Sequence, residues 1–454
     1  MSPGNSRRNF IRKTALGTVA AAGIGQPAFA FIRDYKKQAP SDRLNIAFVG
    51  VGGRGFQNLK LTMEQGDNCV ALCDVDWGKR TREAFELFPD AARYKDFRKM
   101  LDKQLDIDAV VISTPDHTHA VVAMPSIKLG YHVYCEKPLA HSVFETRQIT
   151  ETAKEYGVQT QLGNQGHSLE NVRRLVEWIE DGAIGDVREV HAWCDRPRPK
   201  TWFPSGIKRP EDTPDIPDSL EWDLWIGPAP YRPFHPLYHP GYWRGWVDFG
   251  CGAVGDMGCH ILDPAFWSLN LGSPTTVEAS TTTMLEEINR ESFPMASVIR
   301  WEFPERDGKP PVNMTWHDGG LLPKLPPGID SLEEIGPNGA MLIGEKGILV
   351  HKSHGADGLR MLPDEKMNTY KEPQKTIPRV SGHHSDWLEA CKTGKPASAN
   401  FSYGGPLTEM VLLGSIAGRI KDRKLYWDAD NMKFNNSEEA NALLKTDYRE
   451  GWSL

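Results

Sequence analysis

The chain has 454 residues, 39% of them hydrophobic and 25% charged, enough for two or three domains with sizeable cores. Its 53 basic and 60 acidic residues leave a formal net charge of −7 and are mixed along the chain. It lacks the basic blocks that follow a phosphate backbone, so nucleic acid is not an expected partner. Seven cysteines, with no C-x-x-C pair and no zinc-knuckle spacing, are expected to be mostly buried free thiols.

Ser6-Arg7-Arg8-Asn9-Phe10-Ile11-Arg12 is followed by the apolar run TALGTVAAAGIG and by Ala28-Phe29-Ala30, which fits an A-x-A cleavage site. Charged, apolar and small-residue segments in this order make a signal peptide over residues 1–30, with 31–42 as a linker. The paired arginines mark the twin-arginine kind, so the twin-arginine export machinery is an expected partner and the periplasm the expected location. No later stretch reaches about 18 uninterrupted apolar residues, so no stable membrane insertion is expected once the leader is removed.

From Leu44 the pattern is strand, turn, helix: LNIAFVGV is apolar and β-branched, GGRG is the turn, and FQNLKLTMEQG has a short helical period. Gly50, Gly52 and Gly55 are the glycines of G-x-G-x-x-G. The first permits the tight turn, the second lets a pyrophosphate approach the backbone, and the third lets helix pack on strand. Gly53 and Arg54 complete this turn. The next strand, CVALCDV, ends at Asp74, about 20 residues on, where a carboxylate accepts ribose hydroxyls and repels a 2′-phosphate. NAD is therefore the expected cofactor. Arg54, by pairing with a phosphate, leaves NADP possible.

DAVVIST, YHVYCEKP and VQTQLGNQ continue as strands, with HAVVAMPSIKLG and VFETRQITETAKEYG as helices between them. This alternation predicts an α/β chain whose N-terminal domain, residues 43–165, is a Rossmann-type doubly wound parallel sheet with ligands at the carboxyl ends of its strands. Two of those ends read Ser113-Thr114-Pro115-Asp116-His117-Thr118-His119 and Cys135-Glu136-Lys137-Pro138. Thr114, Pro115, His117, His119, Glu136 and Lys137 are expected along the cofactor. Asn164 is expected there too, and Gln165 and His167 at the substrate, the alternative being that they cap the helix SLENVRRLVEWIEDG.

Farther along the chain runs Gly250-Cys251-Gly252-Ala253-Val254-Gly255-Asp256-Met257-Gly258-Cys259-His260-Ile261-Leu262-Asp263, similar to G-G-x-x-x-D-x-G-x-H. With GVGGRG, TPDHTH, EKP and this segment in order, the chain resembles the Gfo/Idh/MocA family of oxidoreductases. The resemblance implies a C-terminal α+β domain over 166–454 with a large open, mostly antiparallel sheet. One face of that sheet would be available for oligomer contacts, hence a homo-oligomer, dimer or tetramer. It also implies that Lys137 sits near the nicotinamide, that His119 neighbours that ring, and that Asp256 and His260 reach the substrate. The residue types agree. Lys137 can hydrogen-bond a substrate hydroxyl. Asp256 and His260, four apart, share a helix face, so that the imidazole takes the hydroxyl proton while the carboxylate orients it or the sugar. The same pair would suit a divalent metal together with His383-His384-Ser385-Asp386. HHSDWLEACKTGKP reads more simply as a helix capped by Ser381 and stopped at Gly394, and no metal is expected.

The stretch from Asp195 to Gly250 is rich in Pro and aromatics and is expected to wall the sugar pocket, with Trp202, Tyr242, Trp243 and Trp246 as stacking faces and Trp243 at the substrate. The leading expectation is an NAD(P)-dependent oxidoreductase acting on a secondary hydroxyl of a sugar, glycoside or cyclitol with a tightly bound cofactor. The alternatives are a redox-neutral glycosidase or lyase working through a keto-sugar, and a catalytically silent dinucleotide-containing binding protein.

Overall fold

The computed structural model describes residues 43–198, 204–282, 285–420 and 423–454. The leader, the linker and Trp202 lie outside the described residues. Six short strands form the first sheet: β1 (Asn45–Val49), β2 (Asn68–Cys73), β3 (Ala92–Tyr94), β4 (Ala109–Ile112), β5 (His132–Glu136) and β6 (Thr160–Gly163). Their order is β3-β2-β1-β4-β5-β6, all parallel. The strand order therefore reverses between β1 and β4, and a crevice opens at their carboxyl ends. Ala47, Val49, Val110 and Ile112 pack into the core on one face, and Ile46, Phe48, Ala109 and Val111 into that on the other. Burial on both faces explains why these strands read as apolar runs rather than alternations. The sequence did not reveal β3, whose three residues are too few for a periodic signal.

Nine strands form the second sheet: β7 (Val187–Trp193), β8 (Thr276–Thr281), β9 (Ser297–Phe303), β10 (Val312–His317), β11 (Gly339–Gly344), β12 (Gly347–Lys352), β13 (Arg360–Leu362), β14 (Leu425–Asp428) and β15 (Lys433–Phe434). Their order is β13-β12-β11-β7-β10-β9-β8-β14-β15. β7 and β10 pair parallel and the other neighbours antiparallel. Val190, Trp301, Met314, Trp316 and Leu342 of this sheet share one core with the helix Phe401–Ala417. Gly414 admits the Trp301 ring, since a Cβ there would lie 2.3 Å from its Cζ2. The Trp301 indole N–H donates to the Met410 carbonyl at 3.1 Å.

The boundary expected at 165/166 follows the chain but not the packing. Helix His383–Thr393 returns to the first sheet, where Trp387 and Leu388 join Ile46 and Phe48. Its N-cap is Gly382, not Ser381, whose hydroxyl is bonded to that of Ser385 at 2.9 Å; Gly394, at φ 77°, is its stop. All seven cysteines are unpaired, five of them buried. No helix among the described residues is long and apolar enough to cross a membrane.

Candidate active site

A cleft of about 830 Å³ runs past the carboxyl ends of β1, β2, β4 and β5 to the helix Gly252–Ile261, within the size range of small-molecule sites. The glycine turn explains itself residue by residue. Gly50 has φ 80°, and a Cβ on it would stand 2.8 Å from the Ser113 carbonyl carbon; one on Gly55 would stand 1.9 Å from the Gly50 oxygen. Packing dictates both. A Cβ on Gly52 would meet nothing nearer than 3.5 Å, so that glycine instead leaves room in the cleft it lines. The Thr114 Oγ1 and Asn164 Nδ2 atoms are buried without a hydrogen-bond partner, a costly state unless a ligand satisfies them. The open turn and the cleft-lining Thr114 fit a dinucleotide, whereas Asn164, expected along the cofactor, is not among the cleft-lining residues.

Asp74 lines the cleft, but two of its acceptor sites are already used: Oδ2 accepts the Val51 N–H at 2.8 Å and Oδ1 the Asp76 N–H at 2.9 Å. It holds the turn in shape, and burial pushes its carboxyl up to about 6. Arg54 leans away from the ribose end, onto Glu136 Oε1 (3.3 Å) and Gln57 (2.9 Å). The cation at the turn is instead Arg80, whose Nη2 lies 3.0 Å from where a Gly53 Cβ would be; no motif marks it. Glu136 Oε1 also accepts from Asn58 at 2.8 Å and from Gln165 at 2.8 Å.

At the other end of the cleft, Lys137 Nζ donates to Asp256 Oδ1 at 3.1 Å and to the Asp256 carbonyl; the two side chains are 12% and 5% exposed. Arg244 Nε reaches the same Oδ1 at 3.1 Å, and Arg196 Nε stands 4.0 Å from Oδ2. Burial alone would raise the Asp256 carboxyl, but Lys137 and Arg244, with Arg196 behind them, hold it well below the usual carboxylate range. His260, one turn along the helix, hydrogen-bonds Asn164 Oδ1 through Nδ1 at 2.8 Å. With Nδ1 donating, Nε2 is left as the acceptor. Burial, then the charge of Lys137, pushes its pKa far down, so the ring is neutral. His354 lies against it, ring centres 4.1 Å apart. No motif pointed to His354. Its place is fixed where Gly166 and Gly355 pack backbone to backbone, a Cβ on Gly166 falling 2.6 Å from the Gly355 nitrogen.

Other expected residues lie behind the cleft or away from it. His119 bridges the carbonyls of Thr114 (2.9 Å) and Pro138 (2.8 Å), tying the ends of β4 and β5 together. His117 bridges Trp225 (3.0 Å) and Phe249 (3.3 Å), and neither histidine is among the cleft-lining residues. His167 is placed in the core rather than at a substrate: its Nδ1 bonds Asp263 at 3.0 Å, its ring stacks on Trp267, and Tyr403 donates to the same carboxylate at 2.6 Å. Proximity to the end of β6 had suggested otherwise. Gln165, Tyr242 and Trp243 do line the cleft. Trp246 does not. It is buried with Trp222, Trp225, Phe234, Tyr238 and Phe249 in an aromatic core within the wall. That wall docks on the first sheet through contacts that include His117 and Ser219, whose hydroxyl donates to Asp76 Oδ1 at 2.7 Å.

Asp116, also in the cleft, has its carboxyl pushed up to about 7 by burial, against the opposing pull of Arg244 and Lys137. Its native pKa lies above the ordinary carboxylate value, so it contributes stability that is full below about pH 4 and lost as pH rises through about 7. Asp116→Asn should therefore gain stability relative to the native protein across that window and hold the gain above it. Thermal unfolding of both proteins from pH 4 to 8.5 checks this; a difference that does not vary with pH would contradict it.

Two sheets joined through this cleft define a dinucleotide-binding fold with Lys137, Asp256 and His260 lining the same cleft. Residues 44–164 match the family model described as oxidoreductase family, NAD-binding Rossmann fold, and residues 200–289 the model described as oxidoreductase family, C-terminal alpha/beta domain. These are models of the Gfo/Idh/MocA oxidoreductases, which the chain matches over these two segments, and its first sheet is an NAD-binding Rossmann domain. It is 31% identical over 150 residues to a 2,7-anhydro-N-acetylneuraminate hydratase of Mediterraneibacter gnavus, covering 33% of this chain and 39% of that one. It is 26% identical over 151 residues to an inositol 2-dehydrogenase of Salmonella paratyphi B, covering 33% and 45%. The chain thus spans less than half the length of these curated relatives. An inositol dehydrogenase homolog from Azotobacter vinelandii, solved with NADH and myo-inositol, superposes with a TM-score of 0.54 at 16% identity, over 85% of this chain and 98% of that one; the likeness is one of fold.

Proposed function

We propose that the protein transfers a hydride between a nicotinamide cofactor and a secondary hydroxyl of a sugar, glycoside or cyclitol. The observation that carries this reading is the buried Lys137–Asp256 pair, 3.1 Å apart, beside a neutral His260 whose Nδ1 is engaged by Asn164. When bound, NAD supplies the hydride acceptor. His260 Nε2 takes the hydroxyl proton, Lys137 donates a hydrogen bond to the carbinol oxygen as it becomes a carbonyl, and Asp256 holds Lys137 in place. Gly52, Thr114 and Asp74 would hold the dinucleotide. The docking of the aromatic wall, on Asp76 and around His117, supports a cofactor that stays bound between turnovers. Denaturing the purified protein should release near-stoichiometric nicotinamide dinucleotide; protein that carries none after gentle purification would count against retention.

A second reading, redox-neutral cleavage or hydration through a keto-sugar, is favoured by His354, a second imidazole whose pKa burial and Lys137 hold down. The hydratase relative adds to it. The paired arginines support twin-arginine export to the periplasm with the cofactor already in place. Replacing both, Arg7→Lys and Arg8→Lys, should leave the precursor in the cytoplasm; undiminished periplasmic protein in fractionated cells would contradict that.

A further inference from the structure

We infer that Trp452, carried by a segment that straps the aromatic wall to the first sheet, covers the adenine of the dinucleotide and so sets how tightly the cofactor is kept; this rests on the dinucleotide reading above. The strand order fixes the direction in which a dinucleotide lies. Lys137 ends β5 and the glycine turn follows β1, so a nicotinamide beside Lys137 and a pyrophosphate at the turn leave the adenosine to the side of β2 and β3. On that side, beyond Asp74, the cleft is lined by Val75, Phe97, Leu224, Trp225 and Trp452, with Lys95 among their polar neighbours. Such largely apolar surface receives a flat base. These residues adjoin one another. The Glu221 N–H donates to the Val75 carbonyl at 2.9 Å, Lys95 pairs with the Glu221 carboxylate at 2.6 Å, and the Phe97 and Trp452 rings stand 6.1 Å apart.

Trp452 is held there by its neighbours in the chain. Arg449 donates to the Gly227 carbonyl at 2.5 Å and to the carbonyl and carboxylate of Asp223, each at 2.7 Å, while its own N–H reaches the Pro228 carbonyl at 3.1 Å. Tyr448 donates to Glu145 Oε1 at 2.5 Å, in the first turn of the helix Val143–Tyr156, and Leu454 packs against the core of the first sheet. Segment 448–454 thus runs from that helix, across the wall, to that core. Trp452 stays half-buried at the cleft, with the Arg98 guanidinium 4.5 Å over its ring. An indole already pinned in this way, yet open to the cleft, gains contact with a base at little further cost in ordering.

The test titrates the purified full chain, dialysed free of retained nucleotide, with NAD, ADP-ribose and nicotinamide mononucleotide by calorimetry. Trp452→Ala should weaken NAD and ADP-ribose by about 10- to 100-fold, the range that loss of one base–aromatic contact gives, and leave the mononucleotide unchanged. Trp452→Leu, which keeps an apolar cover on Phe97, should show the same pattern to a smaller degree. Equal weakening of ADP-ribose and mononucleotide would mean that Trp452 acts through the fold, and ADP-ribose binding unchanged in both variants would remove it from the adenine; either result overturns the inference. No binding of NAD to the unaltered protein would defeat the dinucleotide reading and this inference with it. The predicted loss of ADP-ribose affinity in a protein that transfers no hydride in a separate assay would uphold the inference and defeat the oxidoreductase reading instead.

Discussion

Lys137→Met should lower hydride transfer by about 10²- to 10⁴-fold, the loss expected when a positioned proton-transfer or hydrogen-bonding group is removed. Dinucleotide affinity and thermal stability should change little. The Met stem keeps most of the Lys137 packing, and Asp256 retains Arg244 at 3.1 Å and Arg196 at 4.0 Å, so the buried carboxylate is not left bare. Single-turnover kinetics with saturating cofactor separates this outcome from weakened binding. Near-normal turnover would remove Lys137 from the chemistry.

Gly55→Ala should abolish dinucleotide binding and destabilise the first sheet by roughly 3 kcal/mol, at the upper end of what overpacking costs. The new methyl would sit 1.9 Å from the Gly50 oxygen and 2.8 Å from the Gly50 carbonyl carbon. Neither can retreat, because the Gly50 N–H is held by the Cys73 carbonyl at 2.8 Å and the Ser113 N–H by Val49 at 2.8 Å. The helix that begins at Arg54 must therefore move off the sheet, taking the phosphate-binding turn with it. Gly52→Ala makes the control: with its nearest neighbour at 3.5 Å it should fold normally and lose cofactor affinity alone. Unaltered NAD titrations of Gly55→Ala would contradict the role given to this turn.

Much of this arrangement can be read from local pattern. The strand-turn-helix repeat from Leu44 reports the parallel sheet because each apolar run is buried on both faces, and the spacing of Asp256 and His260 reports a shared helix face. Lys137, Asp256 and His260 do line one cleft. What local pattern does not carry is which distant loop comes to meet them. His354 follows β12 with nothing around it to mark it, and Arg80, Arg196 and Arg244 look like any surface arginine until the fold collects them. His167 misleads for the converse reason. It follows β6 as a ligand-binding residue would, yet its ring nitrogen is bonded to Asp263, a partner 96 positions away. Asp74 stands where the ribose contact is expected, and only the structure reveals that its carboxylate also ties down Val51 and Asp76.

Hydride transfer from a ring carbon is the central claim, and isotopic label tests it most directly. The protein with its bound cofactor would be incubated with sugars and cyclitols carrying deuterium at each ring carbon in turn, and the cofactor then isolated and its C4 position examined for deuterium. Label at C4 from one carbon of one substrate, accompanied by the keto product, is the predicted result, and it should fall with Lys137→Met. Transient label that returns to a cleaved or hydrated product would select the redox-neutral reading. No label at C4 from any position of any substrate that binds would contradict hydride transfer altogether.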